Sequence, residues 1–253
     1  MSKDTINEKD KSDKIQDNNP KSNLSFWQRY EAPILLTTVG GAIDTIAFVG
    51  LLGFFTNHVT GNLVMAGGGF VKEGEGLWIK LGALPVFLIA VVISKRFIAK
   101  SNHSDHILSN LLFAEVVCLT AFLIAAVLFG PFQEAGAIDL AITGFLGLIA
   151  FAIRNTAGKT VMSKVRPTLL MTGNTTQLGI DLSDYIFDRT SCNMDSLKHS
   201  ATVVTSFTLG ALVGTLLYIQ VGLWAIAPFI LPVLYLAFAV RDESYRQRQL
   251  INL

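Results

Sequence analysis

The sequence contains few charged residues and little cysteine. Only 15% of its 253 residues are Asp, Glu, Lys or Arg, whereas soluble domains carry about 25%. Its two cysteines, Cys118 and Cys192, form neither a CxxC motif nor a disulfide-rich pattern. The scarcity of charge argues against an ordinary soluble enzyme. The scarcity of cysteine argues against a disulfide scaffold, and both thiols are expected to be free.

The sequence also lacks the short signatures of common chemistry. It has no GxSxG, P-loop, HExxH or Rossmann motif, and its histidines have no spacing that completes a metal site. No basic patch interleaved with aromatic residues indicates nucleic-acid binding. We therefore predict a protein that is not an enzyme, with no cofactor, no metal ion and no nucleic-acid partner.

Long apolar runs dominate what is present. Mean hydropathy is +0.49, and a membrane-crossing helix needs about 20 mostly apolar residues. Candidate spans cover residues 33–55, 77–97, 107–130, 136–153, 201–220 and 223–240. A tight break at Val221 and Gly222 favours a helical hairpin for the last two. The sequence thus predicts an all-α integral membrane protein with six transmembrane helices and a lipid bilayer as its environment.

Basic residues predict the orientation. With an inside amino terminus, 18 of the 20 Lys and Arg residues fall in cytoplasmic segments, as the positive-inside rule expects. Both termini are therefore expected in the cytoplasm, in a multi-pass protein of the cytoplasmic membrane. Residues 1–30 are predicted to be a disordered cytoplasmic tail followed by an interfacial segment, and residues 241–253 a second cytoplasmic tail. The acids Asp181, Asp184, Asp188 and Asp195 are expected in a polar inner loop.

A short motif occurs twice in the sequence. It consists of Thr-Gly-Asn, four further residues and then a glycine. The copies are Thr60-Gly61-Asn62 with Gly67, and Thr172-Gly173-Asn174 with Gly179. Each follows the first span of a three-span half, and upstream alignment sets Asp44 opposite Asn155. An odd number of spans inverts the second half relative to the first. We therefore predict a 3+3 inverted repeat, with halves at residues 31–130 and 131–240.

These residues resemble the YoaK-like family of bacterial membrane proteins of unknown function. The resemblance covers residues 30–240 and rests on three segments: Gly41-Ala42-Ile43-Asp44, His58-Val59-Thr60-Gly61-Asn62 and Met171-Thr172-Gly173-Asn174. It implies a bacterial six-span integral membrane protein but no particular substrate. The family commonly has Gln-Asn where this chain has Arg154-Asn155, so here a charge lies near the second motif.

The TGN motifs are candidate binding segments. Irregular backbone at membrane depth is tolerated only inside protein or along a wet cavity. Gly61 and Gly173 permit sharp turns, Thr60 and Thr172 can cap short helices, and the amides of Asn62 and Asn174 can donate and accept hydrogen bonds. We predict two broken or re-entrant half-helices whose amino-terminal ends bind a small polar or anionic solute, with Asn155 beside them. Alternatively, each motif is only a capped turn at the membrane interface.

Three titratable residues are candidates for coupling. Asp44 is placed near the bilayer midplane, where acids often relay protons or bind ions, and packing alone is the alternative. Glu115 is expected either to serve the site, with Arg154 as a possible partner, or to bond Thr120 or a backbone carbonyl. His58 can assist proton movement, although a histidine at a loop edge is often simply solvated.

The sequence therefore favours a membrane transport protein, specifically a carrier moving a small polar or anionic solute between two inverted halves, with proton or ion coupling. The alternatives are a passive channel, or a membrane interaction or sensory protein without transport activity. Gly210 and Gly214 form a small-residue pair that permits close helix contact. Whether that contact lies within one chain or in a homo-oligomer is left open.

Overall fold

A computed structural model describes residues 25–71, 76–101, 106–162 and 171–246. Within these residues the protein is helical and contains no strand. The helices are α1 (Phe26–Gly50), α2 (Val59–Val71), α3 (Leu77–Lys100), α4 (Ile107–Phe129), α5 (Ile138–Thr160), α6 (Met171–Phe187), α7 (Met194–Val221) and α8 (Ala227–Ala239), with a 3₁₀ turn, Gly222–Ile226, before α8. Residues 1–24 of the predicted disordered tail lie outside the described residues.

Five stretches of the described chain are long and apolar enough to cross a membrane. They are α1, α3, α4, α5 and the 46-residue stretch Met194–Ala239, which contains both α7 and α8. The short α2 is apolar as well. The predicted class, an all-α multi-pass membrane protein, is thereby confirmed.

The stretch Met194–Ala239 reverses direction at Gly222, whose φ is 59°. Helix α7 runs parallel to α1, because Arg29 bonds Asp195 near the start of both helices and Gly50 lies beside Tyr218 near their ends. Helix α8 runs the other way, because Leu223 at its entry also lies beside Gly50 while Tyr235 near its end bonds Glu31. The predicted break between the last two apolar runs is therefore confirmed.

Glycine allows α1 and α7 to pack with their backbones in contact. A Cβ atom on Gly41 would lie 2.3 Å from the carbonyl oxygen of Phe207, and one on Gly210 would lie 2.2 Å from that of Thr38. Such distances exclude any side chain at either glycine, as is common between membrane helices. The small residues of α7 thus pack against α1 of the same chain, which resolves the question that the sequence leaves open.

Several helices extend beyond their predicted apolar runs, and α1 and α5 show why. Helix α1 begins at Phe26 rather than near Pro33, because Ser25 and Gln28 form a capping box that starts the helix earlier. Helix α5 continues to Thr160, beyond the predicted end at residue 153. Hydropathy misses these ends because polar residues lower it. On α5 those polar residues stay helical, since Arg154 is buried and finds partners inside the protein.

Candidate functional site

The chain doubles back after α1 and carries the start of α2 into the protein. Leu52 and Gly53 have φ values of 51° and 85°, which reverse the backbone. Phe54 then packs against Gly144 and Thr56 against Gly147, one turn further along α5. Helix α5 is antiparallel to α1, because Arg154 near its end bonds Leu36 in the first half of α1 while Gly144 near its start contacts Phe54. The loop therefore returns alongside α1 toward its middle, and α2 begins there.

Asp44 of α1 binds this returning loop. Its carboxylate is buried, with 3% of the residue exposed, and lies about 9 Å before the end of α1 at 1.5 Å per residue. It accepts hydrogen bonds from the backbone N–H of Thr56 at 2.8 Å and of Asn57 at 2.7 Å, and from the Thr56 hydroxyl at 3.2 Å. Donors from one irregular segment thus converge on a single buried acid.

His58, the residue before α2, completes the contacts of Asp44. Its Nδ1 lies 2.5 Å from the second carboxylate oxygen of Asp44, and 37% of its side chain is exposed. The imidazole also meets the ring of Phe207 on α7 edge-on, with centroids 5.7 Å apart. The expectation of a simply solvated histidine is therefore wrong, because the chain reversal brings His58 to a buried acid.

Asn155 of α5 lies next to this loop. Its amide nitrogen donates to the carbonyl of Phe151 at 2.9 Å and approaches the side-chain oxygen of Asn57 at 3.5 Å. Three predicted site residues from α1, the loop and α5 are thus brought together. We call the group the Asp44 cluster; its members are Asp44, Thr56, Asn57, His58 and Asn155.

The first TGN motif holds the loop in place. Asn62 is fully buried; its side-chain oxygen accepts from the Phe55 N–H and its amide donates to the Phe55 carbonyl, both at 2.8 Å. A Cβ atom on Gly61 would lie 2.9 Å from the Phe55 ring. Thr60 is exposed within the first turn, so the predicted cap is wrong: α2 begins one residue earlier, at Val59.

The second TGN motif opens α6. Thr172 and Gly173 are exposed, while Asn174 is buried. The Thr172 carbonyl accepts from the Thr176 hydroxyl within the helix, so Thr172 is a helical residue here and the predicted cap is again wrong. Helix α2 packs mainly against α3 and α6 against α7. Among the described residues, the two motifs therefore contribute to separate helix pairs.

A second buried charge pair lies between α4 and α5. Glu115 and Arg154 are 0% and 4% exposed and form an ion pair. Arg154 also donates to the carbonyl of Leu36 at 2.8 Å. Thr120 donates to the Val116 carbonyl rather than to Glu115. The pair left open by the sequence therefore exists and joins α1, α4 and α5, whereas the Thr120 alternative is wrong.

Asp181 is a buried acid that the sequence reasoning missed. It lies on α6, not in a polar loop, and is only 3% exposed. It accepts hydrogen bonds from Ser196 at the start of α7 at 2.6 Å and from Gln177 at 2.8 Å. The i,i+4 spacing of Gln177 and Asp181 was the available signal. Asp184 is also on α6 and Asp195 is on α7, while Asp188 is exposed in the connection between them.

Apolar helices enclosing buried polar clusters define a multi-pass helical membrane protein. No group of three or more His, Cys, Asp or Glu in the described part of the chain is arranged to hold a metal ion. The chain belongs to a family described as "Protein of unknown function (DUF1275)", whose model matches residues 32–239, in accord with the YoaK-like resemblance. No curated protein and no solved structure matches it.

Proposed function

We propose that the protein is a carrier for a small polar or anionic solute, with Asp44 as the group that couples transport to protons. The observation that carries this proposal is the buried Asp44 carboxylate of α1, which is bound by the irregular loop between α1 and α2 and paired with a half-exposed histidine. Acids at such depth usually serve ion or proton movement. Broken helices at the centre of a membrane protein are a common way to form a solute site.

Helix directions support six crossings. Helices α1 and α7 run together, while α8 runs against both α1 and α4, as the contact of Ser109 with Ala237 shows for α4. Helices α4 and α5 are antiparallel, because Glu115 meets Arg154 while Phe122, further along α4, approaches Gly147. Helix α3 runs with α5, since Trp78 bonds Gly136 and Gly82 lies beside Phe145. The six long segments therefore alternate in direction.

The helix contacts also support the inverted repeat. In such a repeat, helices α1 to α4 correspond in order to helices α5 to α8. The contact of α1 with α7 then corresponds to that of α5 with α3, the contact of α4 with α5 to that of α8 with α1, and the contact of α2 with α3 to that of α6 with α7. All of these contacts are observed. Each corresponding pair of long helices is antiparallel, as inversion requires. In the resulting arrangement Asp44 has Asn155 as its counterpart, so only one half carries a titratable group at this position.

Charge supports an inside location for the amino termini of α1, α4 and α7. The basic residues at helix ends gather on this side of the described structure, including Arg29, Lys95, Lys159, Lys198 and Arg241. Lys80, near the start of α3, lies at the opposite side. The positive-inside rule then assigns the richer side to the cytoplasm.

Flux into liposomes tests the proposal. Purified protein is reconstituted with a pH dye inside, and gradients of small carboxylates, inorganic phosphate or neutral polyols are imposed in turn. We expect one class to move with a pH change that Asp44→Asn abolishes. Asp139→Asn is the matched control, because Asp139 lies at the start of α5, where it accepts from the Leu140 N–H.

Two results would contradict this account. An unchanged pH dependence in Asp44→Asn removes Asp44 from the coupling step. Failure of the folded wild-type protein to move any solute class supports the interaction or sensory alternative instead.

A further inference from the structure

An open groove of about 420 Å³ lies along the first half of α7, beside the start of α1. Phe26 forms one wall, and α7 supplies the rest through Lys198, Ala201, Thr202, Thr205 and Ser206. The groove lies at the end of α1 and α7 that carries the basic residues. Phe26 and Trp27, both more than half exposed there, mark an interfacial aromatic belt.

Three donors in this groove have no partner in the described part of the protein. Lys198 makes no ion pair, and the hydroxyls of Thr205 and Ser206 make no hydrogen bond. The nearby acid Asp195 forms an ion pair with Arg29 rather than with Lys198, with a nitrogen–oxygen distance of 3.0 Å. The groove therefore offers one free positive charge and two hydroxyl donors. The oxygens of a phosphate group can accept hydrogen bonds from both hydroxyls and form a charge-assisted hydrogen bond with the lysine.

The same face of α7 becomes apolar beyond the groove. Lys198, Thr202 and Thr205 lie on one stripe at alternating steps of four and three residues, which places side chains on one helix face. The stripe continues with Leu209, Leu212, Leu216 and Ile219, which are 54%, 56%, 60% and 73% exposed. From Thr205 to Ile219 it extends about 21 Å at 1.5 Å per residue, more than the half-thickness of a bilayer core.

We propose that this groove binds one anionic phospholipid, in the leaflet at the amino-terminal ends of α1 and α7. Lys198 and the two hydroxyls hold the phosphate of its headgroup. One acyl chain lies along the apolar stripe, and Phe26 covers the glycerol region. The order of the stripe, charged then hydroxylated then apolar, matches the order of groups along such a lipid. The site lies on the outer surface of the protein and does not depend on transport.

Purified full-length protein in detergent tests this site. Phosphatidylglycerol, phosphatidylcholine and inorganic phosphate are added separately, and bound lipid is measured by native mass spectrometry together with the melting temperature. We expect phosphatidylglycerol to be retained and to raise the melting temperature more than phosphatidylcholine does. Inorganic phosphate alone is expected to have little effect.

Variants locate the site. Lys198→Gln is expected to weaken retention of phosphatidylglycerol about fivefold, as for one basic residue at an anionic surface, and Thr205→Val to weaken it less. Lys95→Gln, which removes another exposed lysine at the same end of the molecule, is the matched control and leaves retention unchanged.

Four outcomes would overturn the proposal. Unchanged retention in Lys198→Gln and an equal effect of phosphatidylcholine each exclude a specific anionic-lipid site. An equal effect of inorganic phosphate indicates a simple anion site. A change of oligomeric mass in Lys198→Gln without a change in bound lipid shows that the groove is an interface between copies of the chain.

Discussion

The Asp44 cluster and the Glu115–Arg154 pair are both buried in the same group of helices, yet their charges are balanced differently. Asp44 is held by N–H groups of an irregular loop and by a histidine with 37% of its side chain exposed. Glu115 faces a guanidinium that stays charged, and both side chains are 3% exposed or less. The difference separates an acid bound by a loop and a part-exposed histidine from an acid bound by an arginine within the helix core.

This comparison separates the three predicted coupling residues into a candidate coupling pair and a structural residue. Asp44 and His58 remain the coupling pair in our proposal. Glu115 is better explained as a structural residue, since its partner Arg154 also holds α1 through the Leu36 carbonyl. Variants of the two groups should therefore affect different properties of the protein.

The largest expected effect is on stability, at the Glu115–Arg154 pair. Glu115→Ala should lower the free energy of unfolding by about 3–5 kcal/mol, because it leaves a buried guanidinium unpaired. Replacing both residues, Glu115→Leu with Arg154→Met, should recover most of the loss. Denaturation in detergent measures this, with Glu134→Ala at an exposed position as control. A loss below about 1 kcal/mol would show that the pair is not a sealed core element.

A smaller stability effect is expected at Asp44. Asp44→Ala should cost about 1–3 kcal/mol, because the N–H groups of Thr56 and Asn57 lose a buried acceptor. Asp44→Asn should cost less, since its amide oxygen can still accept from the loop. The same denaturation measurement compares the two variants. Equal losses would mean that the loop does not depend on an acceptor at this position.

The smallest stability effect is expected at His58. His58→Gln should change the free energy of unfolding by less than about 1 kcal/mol, because the side chain is half-exposed and glutamine can still donate to Asp44. It should nevertheless flatten the pH dependence of solute flux in liposomes, since glutamine does not titrate. A normal pH profile in this variant would exclude His58 from proton movement.

Apolar runs predicted the all-α membrane class and the approximate places of the long helices, because membrane helices are long and uniformly apolar. The break at Val221 and Gly222 was predictable for the same reason. Helix ends were not predictable, since the Ser25 cap starts α1 at Phe26, seven residues before the apolar run, and the polar end of α5 finds partners only in the folded protein. These ends depend on local hydrogen bonds and burial, which hydropathy does not report.

Three residues of the candidate site were predictable from the sequence, but its contacts and the roles of Thr56 and Asn57 were not. Asp44 stood out as an acid at membrane depth, His58 as a titratable residue beside the first TGN motif, and Asn155 as the residue aligned with Asp44 in the repeat. Their meeting depends on the reversal at Leu52 and Gly53, for which the spacing of polar residues gives no signal. Asn62 was predicted to bind solute, and in the structure its side-chain amide forms hydrogen bonds with the N–H and the carbonyl of Phe55. Its predicted contact with solute stays a prediction.

The most direct test asks whether protons move with the solute only when the Asp44 carboxyl is present. In liposomes under an imposed solute gradient, an internal dye reports the pH change while labelled solute reports uptake. The account predicts that the pH change per solute moved is lost in Asp44→Asn and kept in Asp139→Asn. An equal pH change per solute in Asp44→Asn and the wild type would contradict the account.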